Sequence, residues 1–187
     1  MLKYIGIVAI MLLSSSCINR QLGYFEVSPY AQVKSNKIDQ PLYVRYSSRI
    51  NDTYVFKQPG FNFIATELHK SYLFASQRAF ADLFSEVRAY MPTDVGFILE
   101  IQKMEPRWTS HTTQTINQFK DTFEQTDIWC EIEYASSMYR NELLVSQASG
   151  TVVAKESELN TYKPEDVFKE AVKRTFAQVA QTHFNKM

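Results

Sequence analysis

Residues 128–135 read Ile-Trp-Cys-Glu-Ile-Glu-Tyr-Ala, and this stretch decides the fold class. Ile128, Cys130, Ile132 and Tyr134 alternate with Trp129, Glu131, Glu133 and Ala135, a repeat of two that puts each set on its own face of a strand. A strand apolar on one face and charged on the other belongs to an antiparallel sheet with one covered and one wet side.

Working outward, Arg140-Asn141 offers a turn into an extended segment from Leu143 to Lys155. Upstream, Val95, Phe97, Leu99 and Ile101 alternate with Gly96, Ile98, Glu100 and Gln102, which predicts another strand. Between them, Thr109 to Glu124 is polar and lacks a clear period, and reads either as a long hairpin loop or as the twisted outer ends of two strands. Leu42, Val44 and Tyr46 predict a strand after Pro41, and Thr53 to Lys57 a short one after Asn51-Asp52.

Two segments carry the helical period instead. Pro164 suits a first helical position and Glu165 and Asp166 complement the positive end of the helix dipole. Phe168, Ala171, Val172, Phe176, Val179 and Ala180 then draw one apolar face. Leu73, Phe80, Leu83, Phe84 and Val87 predict a helix over about 65–90, bounded by Pro92. The whole reads as α+β: a two-layer sandwich in which a mostly antiparallel sheet of four or five strands is packed by two helices, within a single domain over 41–187.

The first residues concern address. Lys3 precedes a run from Ile5 to Leu13 that is apolar apart from Gly6, followed by Ser14-Ser15-Ser16-Cys17. A spanning helix needs about 20 apolar residues, so this shorter run reads as the hydrophobic part of a secretory signal. With its small residues before a cysteine, the segment resembles the lipobox of bacterial lipoproteins. The resemblance implies a signal peptide over 1–16, removal of which leaves Cys17 as the lipidated N-terminus. Ile18 stands where an inner-membrane lipoprotein of enterobacteria would carry aspartate, so the resemblance implies the outer membrane, with the domain facing the periplasm. Several acyl chains (palmitate among them) on Cys17 hold a protein stably where one does not. Residues 17–40, irregular and polar, read as a lipidated tether.

In architecture and anchor the chain is similar to small two-layer outer-membrane lipoproteins such as the lipopolysaccharide-assembly lipoprotein LptE and the YajG-like family. That likeness is one of fold and transfers no functional residue.

Chemistry is scarce. Twenty basic residues balance twenty acidic ones, which argues against nucleic acid as a partner. His69, His111 and His183 lie at no metal-ligand spacing and read as surface or helix-end residues. Cys130, on an apolar strand face, reads as a small buried hydrophobe. Glu131 and Glu133 share a face at about 6 to 7 Å by strand geometry, and read as a solvated face rather than a hydrolase pair. No GxSxG elbow or P-loop occurs, and five glycines leave little for a phosphate cradle. No enzyme, cofactor or metal is therefore expected.

Trp108 and Trp129 stand out as candidates for a partner surface, since exposed tryptophans anchor interfaces, or else as caps on the sheet. The reading that results is a non-enzymatic, lipid-anchored accessory, assembly or structural subunit of a cell-envelope transport or secretion complex. Two alternatives stay open. One is a periplasmic carrier holding an apolar ligand or lipid near Phe80, Phe97 and Phe176. The other is a surface-exposed lipoprotein that meets a host molecule.

Overall fold

A computed structural model describes residues 18–29, 37–58, 61–116, 122–159 and 163–185. Cys17 and the expected signal peptide lie outside the described residues.

The main sheet has five strands in the order β5-β2-β6-β7-β8, comprising β2 (Ile38–Tyr46), β5 (Phe84–Ala89), β6 (Phe97–Ile116), β7 (Thr122–Arg140) and β8 (Leu143–Lys155). β6, β7 and β8 form an antiparallel meander, while β2 runs parallel to both of its neighbours. Two helices, α1 (Leu68–Phe80) and α3 (Pro164–Phe184), cover one face, with the short α2 (Glu156–Leu159) leading toward α3. Leu42, Leu99, Ile101, Cys130, Ile132 and Met138 from the strands and Val172, Phe176 and Val179 from α3 are buried in one continuous core. The rings of Tyr72 on α1 and Phe176 on α3 lie 5.7 Å apart, which locks the two helices side by side. Burying a side chain such as Phe176 stabilises the fold by about 1.5–3 kcal/mol. The expected α+β sandwich is the observed one.

Beside it lies a second sheet, of which the sequence reading had only the strand over 53–57: β1 (Ile18–Leu22), β4 (Phe61–Ala65) and β3 (Tyr54–Gln58), in the order β1-β4-β3. Phe61, Phe63 and Ala65 are its buried set. Phe63 sits 5.2 Å from Phe168 of α3 and 5.1 Å from Trp108 of β6, ring centre to ring centre, so the small sheet is fastened to the main domain by tilted and edge-on aromatic contacts.

Two local expectations differ from the structure, and a third is settled between its alternatives. Residues 18–29, expected to be irregular, contribute β1 and bury Phe25 and Val27. The backbone of β4 supplies a parallel partner for β1, and the Phe25 N–H donates to the Ser71 hydroxyl of α1 at 3.1 Å. The helix expected over 65–90 stops at Phe80, and the chain turns back as β5. Phe84 and Val87 are buried in either geometry, but only a strand satisfies the open edge of β2, so tertiary pairing overrides the helical spacing. The polar stretch 109–124 is strand wherever it is described, the second of the two readings given above.

The start of α1 explains another blind spot. Its preceding residue, Glu67, takes a left-handed conformation (φ 54°), and its own side chain caps nothing. Instead Asp52, far back in the chain, accepts from the N–H groups of Leu68 through its carbonyl (3.1 Å) and of His69 through its carboxylate (2.7 Å). The orphan donors of a helix start are thus satisfied from outside the local sequence.

Candidate functional site

The strand pairing explains where each candidate side chain points. Trp108, on the inward side of β6, is packed among Phe56, Phe61, Phe63 and Phe168, with its indole nitrogen buried and unpartnered among the described residues. Trp108, half-buried, therefore packs against the core where the two sheets join. Trp129 faces the other way, half-buried, on the side of the sheet opposite α1 and α3. Its Nε1–H donates to Asp127 at 3.0 Å, and the Lys155 ammonium lies 4.3 Å from the ring centre. Burial pushes the Asp127 carboxyl up, but the hydrogen bonds from Ser157 and Trp129 and the charge of Lys155 outweigh it and hold the group below its usual range.

The other expected residues fall as follows. Glu133 hydrogen-bonds Lys103 at 2.7 Å and lies 3.5 Å from Arg107, and the Lys103 bond chiefly holds its carboxyl below the usual range. It is one corner of a surface ion network, and Glu131 beside it lines none of the clefts described below. Cys130 is fully buried, and burial pushes its thiol far up, as expected of an inert hydrophobe. His69 stacks on Tyr46, and its Nε2–H donates to the Ile50 carbonyl at 2.9 Å. The side chain of His111 lies outside the described residues.

His183 stands at a helix end, as expected, but is buried rather than solvated. It is completely buried near the end of α3, with Nε2 2.8 Å from the Ser136 hydroxyl of β7 and Nδ1 2.7 Å from the Ser146 hydroxyl of β8. The imidazole thus pins the helix end to two adjacent strands. Two rotatable hydroxyls satisfy a ring whose nitrogens need one donor and one acceptor. Phe80, Phe97 and Phe176 are also packed solid, Phe84 lying 5.2 Å from Phe97 and 6.2 Å from Phe80. Among the described residues no group of three or more His, Cys, Asp or Glu side chains could hold a metal ion. No helix there is long and apolar enough to cross a membrane.

One surface gathers what the sequence reading missed. At the start of β8, Leu143, Leu144 and Val145 are all exposed, and so is Val95 of the β5–β6 loop, next to Gly96. Val95 is 80% and Leu143 74% accessible, the opposite of what their places in apolar patterns imply. The geometry is held by a two-residue turn, Asn141-Glu142, with φ of 49° and 67°, the positive pair that a tight hairpin requires. The Asn141 N–H donates to the Gly96 carbonyl at 3.0 Å, and Gly96 itself takes φ 121°, closing the loop onto the hairpin. In the adjoining cleft of about 560 Å³, Arg45 lies 5.6 Å from the ring centre of Tyr90 and 5.5 Å from that of Tyr139. Its guanidinium also bonds Glu100 at 3.2 Å. Exposed aliphatics beside tyrosines and an arginine have the composition of interface cores rather than of ordinary surface. The signal was present in the chain: Leu143-Leu144-Val145 is three apolar residues in a row at a strand start, and a strand cannot turn all three inward.

The fold has known neighbours. Over 89% of this chain and 95% of the other, the structure superposes on that of a Xanthomonas campestris protein of the DUF330 family with a TM-score of 0.56 at 15% identity, which shows a shared fold. Weaker likenesses, each with a TM-score of 0.43, are to a minor lipoprotein from Acinetobacter baumannii (9% identity, 80% of this chain and 95% of that one) and an uncharacterized lipoprotein B from Nitrosomonas europaea (7%, 80% and 86%). No family model and no curated protein matches the sequence.

Proposed function

We propose that this chain is a non-enzymatic lipoprotein, anchored in the outer membrane through Cys17, whose periplasm-facing domain serves as an accessory or assembly subunit of an envelope transport or secretion complex. The observation that carries the reading is the apolar sheet end, where Leu143, Leu144 and Val145 are exposed in succession, with exposed Val95 on the loop bonded to their hairpin. Leaving so much aliphatic surface in water is unfavourable at about 25 cal/mol per Å², and a partner that covers it relieves that cost. The export-like segment ending at Cys17 supports the anchor and the compartment. Trp129, half-buried on the face of the same sheet opposite α1 and α3, is proposed as a further contact.

The test is affinity purification of the detergent-solubilised protein with identification of what accompanies it. A reproducible set of envelope proteins retained by the parent and lost by Leu143→Asp/Leu144→Asp, with unchanged melting, is the expected result. Lipid alone, or a set indifferent to the substitutions, would overturn the assignment of this surface.

A further inference from the structure

A second cleft, of about 800 Å³, opens beside the middle of β6. Every residue from Gln102 through Arg107 lines it. Successive side chains of a strand point to opposite faces, so a cleft lying over one face meets every second residue. A cleft that meets six in succession runs along the strand's edge.

That edge is open for a structural reason. β2 keeps register with β6 only as far as Tyr46 opposite Ile101, and the last link is the Ser47 N–H donating to the Ile101 carbonyl at 2.9 Å. Beyond Ile101, no strand among the described residues lies on that side of β6. Pro106 fits the same picture, because a residue without an N–H is tolerated in a strand where no neighbour calls for its hydrogen bond. Across the cleft stand Thr53 and Tyr54, where β3, the outer strand of the small sheet, begins.

The remaining walls define the occupant. Ile50, Leu68 and Met104 supply apolar surface, and Tyr72 is fully buried with a hydroxyl that has no hydrogen-bond partner among the described residues. An unpaired buried hydroxyl costs about 1–3 kcal/mol unless a ligand satisfies it. At the mouth, Lys103 and Arg107 are already shared with Glu105 and Glu133, and Glu100 is held by Arg45. Arg49 makes no ion pair among the described residues and is exposed. Such mixed walls suit an acyl chain poorly, whereas a polypeptide offers main-chain groups to an edge and alternating side chains to a floor.

We propose that this cleft receives an extended peptide segment of a partner protein, added as a short strand along Gln102–Arg107, with apolar side chains over Ile50, Leu68 and Met104 and an acidic side chain against Arg49. The Tyr72 hydroxyl bonds the inserted segment. The site is separate from the apolar sheet end, and the two stand or fall independently.

The experiment pans a random linear peptide library on the full domain, then maps the selected peptides by amide hydrogen exchange and titrates them against Arg49→Glu and against peptide N-methylated at alternate amides. Expected are sequences that alternate apolar residues with Asp or Glu and protect amides between Gln102 and Arg107. Affinity should fall about tenfold with Arg49→Glu, the weight of one lost charge contact and its reversal, and at least as much with N-methylation. Melting of the Arg49→Glu variant should match the parent, because the side chain is exposed. Recovery of no peptide, a footprint on Leu143–Val145 instead, or binding indifferent to both changes would overturn the proposal.

Discussion

His183 offers a sharp test of the packing described here. Replacing it by leucine keeps an apolar side chain of similar bulk at the end of α3 but removes both nitrogens, stranding the hydroxyls of Ser136 and Ser146 in a core where His183, Ser136 and Ser146 are 0%, 2% and 6% accessible. Each buried group left without its partner costs about 1–3 kcal/mol, so the pair predicts a loss of about 2–6 kcal/mol. For a domain of this size that is about 4–24 °C in melting temperature. The useful part is the rescue. Removing both sides of a buried hydrogen bond is nearly neutral, so His183→Leu/Ser136→Ala/Ser146→Ala should recover most of the loss. Urea unfolding of the parent, the single and the triple variant decides the matter. A single variant within about 0.5 kcal/mol of the parent, the range of ordinary surface substitutions, would refute the reasoning, as would a triple variant no more stable than the single one.

Other perturbations reach other parts of the account. Glu142 holds φ 67° without being glycine, a conformation costing about 1–2 kcal/mol for an L-residue, so Glu142→Gly should raise the urea midpoint, and a lowered midpoint would count against the turn as described. Because the Asp127 carboxyl is held below its usual range, its contribution is present above the unfolded value of about 3.9 and is lost as pH falls through the lowered folded value. Asp127→Asn should therefore lie below the parent in stability at pH 7, with the gap closing on acidification, and a gap that widens toward acid would contradict the assignment. Cys17→Ala should abolish palmitate labelling and release the protein from the membrane fraction, and retention of either would remove the lipid anchor.

How far the sequence spoke depends on whether the deciding contacts are local. The alternation around Ile128–Ala135 and the apolar face from Phe168 to Ala180 are visible in the chain because one helix layer buries one face of each, and the structure has both. β5 was hidden because Phe84 and Val87 satisfy two periods at once, and only the distant edge of β2 chooses between them. β1 was hidden because a short polar strand such as Ile18–Leu22 owes its existence to β4, some forty residues on. His183 read as a helix-end residue because the serines that bury it lie on two other strands. Trp108 and Trp129 illustrate the limit for site prediction. Both are large and unusual, yet the small sheet, itself unforeseen, half-buries Trp108 against the core. The apolar sheet end, in contrast, was written as three adjacent aliphatics and passed for strand interior.

The central claim is that this end of the sheet meets another envelope protein. A photo-activatable amino acid placed at Leu144 in living cells, with Ser85 on the opposite edge strand as the control, tests it most directly. The account predicts a light-dependent, discrete crosslink from position 144 to an envelope protein in the membrane fraction and none from position 85. Equal crosslinking at both positions, or none at 144, would contradict it.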